Sequence, residues 1–130
     1  MKNTQSIVVG ILMGLVTAVA ADTAQACTVE SDKDSSYQNV GMTYSDVERL
    51  LKRKKYKLVP RNQDAIYKLE MSTVLNSTFP AVDFIAYVVL TDKKTGKVVF
   101  ARKSDPILIG IESWAKKQLK RELPRCPLHF

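Results

Sequence analysis

The sequence holds a single histidine, a single tryptophan, two cysteines and five glycines. Each scarcity removes a class of chemistry. His129 stands beside the last residue, and a Ser-His-Asp or Cys-His device needs its imidazole rigidly held; a tail histidine with no catalytic role is the expectation. No His/Cys/Asp cluster has the spacing of a metal site. Two glycines, Gly10 and Gly14, fall in the apolar N-terminal stretch, which leaves no glycine-rich loop to cradle phosphate. The one long apolar run, Ile7–Ala20, has 14 residues, short of the about 20 that cross a bilayer. No cofactor is expected. Asp64 and Asp83 open neighbouring strands, so a carboxylate pair for acid–base hydrolysis is the one enzymatic reading to weigh; an acid at a strand start more commonly just faces water.

Acidic residues are also short, 13 against 20 Lys+Arg, for a formal charge of +7. That balance favours anionic partners. Lys2, the run Ile7–Ala20 and the small-x-small Ala24-Gln25-Ala26 read as an export signal over 1–26, cut after Ala26, with a cut after Ala20 and an uncleaved anchor as alternatives. Export to the periplasm or medium makes nucleic acid an unexpected partner. It leaves envelope proteins, anionic polymers and lipid headgroups.

Cys27 and Cys126 bracket the rest of the chain. In an exported protein they are expected to form a disulfide. The rival reading, acylation of Cys27 as a lipid anchor, wants Leu three residues earlier, where Ala24 stands.

Residues 27–43 are polar and aperiodic and read as a flexible lead-in. A single domain over 44–130 follows. Ser45 and Glu48 match a capping box that opens a helix with Val47, Leu50 and Leu51 as its apolar stripe. Tyr56–Val59 is a short strand stopped by Pro60. Asp64–Leu75 alternates Ala65, Tyr67, Leu69 and Met71 against Asp64, Lys68, Glu70 and Ser72, a strand with one wet face. Val82–Thr91 is apolar on both faces. Asp92–Gly96 turns a hairpin into Lys97–Arg102, Gly96 supplying positive φ. Ser104-Asp105-Pro106 announces a second helix carrying Ile107, Ile111, Trp114, Ala115 and Leu119 on one face. The expected fold is α+β: a two-layer sandwich, a mainly antiparallel sheet of three to four strands with two helices on one face.

The cations fall in groups: Lys52, Arg53, Lys54, Lys55 and Lys57 near the first helix, Lys93, Lys94 and Lys97 at the hairpin, Arg102 and Lys103 after it, and Lys116, Lys117, Lys120 and Arg121 on the second helix. They read as solvated faces. The sharper alternative is that the two helix groups join into one positive face that binds an anionic polymer or lipid.

The run Asp64-Ala65-Ile66-Tyr67-Lys68-Leu69, and the strand–turn–strand Tyr87–Phe100 built around Asp92-Lys93-Lys94-Thr95-Gly96, resemble the LpoB-type activators of penicillin-binding proteins and, more loosely, the N-terminal domain of TolB. The resemblance spans about Asp46–Leu123. It implies a helix-on-sheet sandwich that binds protein partners in the envelope and performs no chemistry.

Overall fold

The computed structural model describes residues 27–31, 36–61 and 63–128; the stretch 1–26 read as an export signal and His129 lie outside the described residues. The elements in order are β1 (Thr28–Ser31), a 3-10 turn (Ser36–Val40), α1 (Tyr44–Arg53), β2 (Lys57–Leu58), β3 (Tyr67–Ser77), β4 (Asp83–Asp92), β5 (Val98–Lys103) and α2 (Ile111–Lys117), which runs on as a π-helical turn, Gln118–Glu122. They form one five-stranded sheet in the order β2-β1-β3-β4-β5.

The α+β class and the β3-β4-β5 meander agree with the reading from sequence. The count of five exceeds the three to four expected, and two of the four pairings are parallel where a mainly antiparallel sheet is expected. The added strand, β1, comes from the segment read as a flexible lead-in, and it pairs in parallel with both β2 and β3. Parallel neighbours need a crossover, and the 3-10 turn with α1 supplies it between β1 and β2.

Register sorts the side chains. Leu69 sits opposite Leu90, Met71 opposite Val88, and Leu90 opposite Phe100. With Tyr67 and Val29 these residues point to the same face. Val47, Leu50 and Leu51 of α1 and Ala115, Leu119 and Leu123 of the second helical segment complete a single buried cluster with them. Both helices therefore cover one face of the sheet. The opposite face carries Ile85, Tyr87 and Val89, half-buried, with Ala101 and Lys103 exposed. The second apolar face of β4 is thus only partly covered.

Helix ends depart from the sequence reading in instructive ways. The capping box of α1 is Thr43 with Asp46, not Ser45 with Glu48: the Asp46 N–H donates to Thr43 Oγ1 at 3.2 Å and the Thr43 N–H to Asp46 Oδ2 at 3.3 Å. Those bonds hold the Asp46 carboxyl below the usual carboxylate range. At the other end Lys55 takes φ +70°. Its N–H reaches the Lys52 carbonyl and the Tyr56 N–H the Leu51 carbonyl, a Schellman closure with lysine where glycine is usual. The second helix starts at Ile111, five residues beyond the predicted Pro106, with Gly110 at φ +95° as its N-cap. Ile107 is not helical. It forms an antiparallel bridge to Phe84.

The ends of the chain are stapled. Cys27 and Cys126 form a disulfide, Cα–Cα 5.9 Å, as expected from sequence. Around it the Lys57 N–H donates to the Cys27 carbonyl at 2.8 Å and the Cys126 N–H to the Lys54 carbonyl at 2.9 Å. The Tyr56 hydroxyl donates to the Pro124 carbonyl at 2.8 Å.

Tyr56 also sets a pH dependence. Burial, and then the neighbouring Tyr67, push its phenol well above the ordinary value; burial and Asp92 raise Tyr67 in the same way. The folded state keeps a proton that the unfolded chain releases above about pH 10. Stability from this source is therefore complete below that pH and falls as pH rises, by up to about 1.4 kcal/mol per unit for one tyrosine. Urea titrations at rising pH should show this alkaline loss. In Tyr56→Phe its Tyr56 share should vanish, at a cost near neutrality of about 1 kcal/mol for the lost hydrogen bond. An alkaline limb unchanged in Tyr56→Phe would contradict the assignment.

Candidate functional site

Two surfaces stand out. The first is the end of the sheet where β3 leaves and β4 begins. β3 runs past the cover of the helices. A register shift between Leu75 and Ser77 interrupts the pairing, and Asn76 Nδ2 donates to Asp83 Oδ1 at 3.0 Å across the connection. Ser77 Oγ donates to the Phe79 carbonyl at 3.0 Å. The segment after β5 is drawn to the same end. The buried Ser104 Oγ accepts from the Ala86 N–H at 2.8 Å, and Phe84 and Ile107 exchange two main-chain bonds of 2.9 and 2.8 Å. That pairing sets Leu108 and Ile109 beside the start of β4. The result is an apolar end to the molecule: Phe79 is 87% exposed, Ile109 90% and Leu108 60%, with Val74, Leu75 and Val82 close to half. Single exposed hydrophobes are ordinary; this end of the sheet gathers several, from two connections.

The second surface is a groove of about 870 Å³ beside α1. Its helical wall is one stripe, Ser45, Glu48, Arg49, Lys52 and Arg53, at the spacing that aligns side chains along a helix. Its other wall is Tyr56, Lys57 and Leu58. The core stripe Val47, Leu50 and Leu51 faces away from it into the protein.

Of the cations predicted to bind anions, the structure brings Lys52, Arg53 and Lys57 together in this groove. Lys54 and Lys55 belong to the helix closure and do not line it. The alternative of one positive face across both helices meets two carboxylates at the seam. Lys116 Nζ is 2.6 Å from Glu112 Oε2 and 3.8 Å from Asp46 Oδ2, and the Glu112 contact raises its pKa. Lys117, Lys120 and Arg121 are exposed outside the groove. Arg49, which the sequence reading passed over, lines the groove while bonded to Asp46 at 3.2 Å; its i−3 and i−4 spacing from Lys52 and Arg53 was the available signal.

The carboxylate pair weighed for hydrolysis is not brought together. β3 and β4 are antiparallel, with Tyr67 opposite Asp92 and Ser77 opposite Asp83. Asp64 and Asp83 therefore stand at opposite ends of the sheet, separated by about 30 Å at the rise of a strand. Among the described residues no group of three His, Cys, Asp or Glu could hold a metal ion, and no helix is long and apolar enough to cross a membrane. Among the described residues the one buried carboxylate, Glu30 on β1, accepts from Lys93 Nζ at 2.6 Å, an ion pair that ties the β4–β5 hairpin to β1.

Comparison of the chain with protein-family models, with curated proteins and with solved structures returns no match.

Proposed function

We propose that this chain is a small exported protein of the cell envelope that works, without chemistry of its own, as an interaction module for another envelope protein. The observation that carries the reading is the apolar end built by Phe79, Leu108 and Ile109 with Val74, Leu75 and Val82. Exposing these groups to water is unfavourable by about 25 cal/mol per Å² of apolar surface, and a packed partner would recover that loss. The disulfide supports export, since such bonds persist in oxidising compartments. The resemblance of the Tyr87–Phe100 hairpin to envelope activator modules points the same way.

A second reading, binding of an anionic polymer or lipid, is favoured by the cationic groove. The two readings part at a photo-crosslinking amino acid placed at position 79, 109 or 53 in producing cells. The expected outcome is a discrete protein adduct from 79 and 109. Phe79→Ser/Ile109→Ser should lower complex formation by roughly tenfold or more without loss of thermal stability, since both side chains are solvated. Adducts from position 53 alone, to lipid or polymer, would overturn the protein-partner reading.

A further inference from the structure

β2 is an edge strand. It pairs with β1 and with no other strand among the described residues. The Lys57 N–H donates to Cys27 and the Val59 N–H to Val29, so both of these face β1. By strand alternation the N–H and C=O of Leu58, between them, face away from β1. Leu58 also lines the groove, whose rim carries Arg49, Lys52, Arg53 and Lys57 against the single carboxylate Glu48. Lys52, Arg53 and Lys57 make no ion pair with any described carboxylate, unlike Arg49. An unused main-chain donor and acceptor thus stand at the foot of a cleft with an excess of positive charge.

We propose that the groove between α1 and β2 receives a short, extended, acidic segment of a partner protein, which adds to the sheet alongside β2. Leu58 exchanges two main-chain hydrogen bonds with it, carboxylates on the helix-facing side of the segment meet Lys52 and Arg53, and one on its other side meets Lys57. Main-chain bonds hold an added strand in place and its side chains select it; here the selection is for negative charge. Pro60, two residues beyond Leu58, has no N–H to offer and ends the edge, so the segment pairs over only about four residues. Peptide is favoured over headgroup or polymer because a phosphate has no use for a strand edge, whereas an extended chain uses both the edge and the cations. The inference rests on the reading of the protein as an interaction module but uses a different surface from the apolar end.

The test is selection of a displayed library of random ten-residue peptides on the disulfide-bonded protein. Selected peptides should be enriched in Asp and Glu. Added to isotope-labelled protein, they should shift the Leu58 amide resonance and slow its hydrogen exchange. Lys52→Glu/Arg53→Glu/Lys57→Glu should weaken binding by roughly tenfold or more, while Lys117→Glu/Lys120→Glu/Arg121→Glu, an equal change of charge outside the groove, should weaken it less than about threefold. A Lys52→Ala/Lys57→Ala variant, with circular dichroism as the check on folding, should fall between. Phe79→Ser/Ile109→Ser should bind the peptide as wild type does, so failure of the groove and failure of the apolar end are read separately. Selected peptides without acidic enrichment, an unmoved Leu58 amide, or equal losses in the two triple variants would each overturn the proposal. So would phosphatidylglycerol vesicles or polyphosphate occupying the groove when no acidic peptide does.

Discussion

Cys126→Ser is expected to lower unfolding stability by about 2–5 kcal/mol, the usual cost of removing a native disulfide from a small domain. The bridge joins residues 99 apart in sequence, and the chain-entropy argument puts the benefit of closing such a loop near 4.7 kcal/mol. Its position adds to this. Thr28, the first residue of β1, follows Cys27 directly, and β1 is the strand that joins β2 to the meander. Cys126 is buried in the same cluster as Leu50, Leu51 and Leu58. Opening the bond frees both the start of an inner strand and the tail that holds Tyr56. Urea unfolding with and without reductant measures the effect. Wild type under reductant should resemble the variant, and a midpoint indifferent to reductant would show that the bridge contributes nothing.

Val29→Asp is expected to cost more than about 4 kcal/mol or to prevent folding, because it places an unpaired carboxylate where no solvent reaches. Val29 is 0% exposed and sits between Leu58 and Tyr67 in the register. Val29→Ala should fold, with a loss of about 1–3 kcal/mol for two buried methyl groups and the space they leave. The two variants together decide what residues 28–31 are. In a flexible lead-in both would be silent; in an inner strand they are graded as stated. Thermal unfolding of the purified variants gives the answer.

β1 was illegible for a definable reason. Of Thr28-Val29-Glu30-Ser31 only Val29 is apolar, so no period can register. Glu30 is buried, but its partner is Lys93, 63 residues away, and nothing local announces the pair. β3, β4 and β5 were legible because alternation and a hairpin glycine are local signals. The boundary of α2 was not. Ile107 keeps helical spacing from Ile111, yet its main chain is taken by Phe84, a tertiary bond that overrides spacing. The choice between Thr43–Asp46 and Ser45–Glu48 was between overlapping boxes; the earlier start also sets Tyr44 edge-on to Tyr37, ring centres 6.1 Å apart. Both candidate surfaces were half-hidden. The groove cations could be seen in the sequence, but Lys54 and Lys55 could be separated from Lys52, Arg53 and Lys57 only once the left-handed Lys55 turned the chain. Leu75, Val82 and Ile109 have the composition of core. That they lie outside it follows from β3 outrunning its helices and from Ile107 drawing the 108–110 loop to the same end.

The central claim is that the apolar end binds a protein, and its most direct measurement is the salt dependence of what the protein holds in envelope extracts. Wild type and Phe79→Ser/Ile109→Ser are to be compared at about 50 and about 500 mM salt, where screening differs severalfold in range. The account predicts a discrete protein partner recovered by wild type at both concentrations and lost from the double variant at both. Recovery of polyanionic material alone, at low salt only and equally by the two proteins, would contradict it.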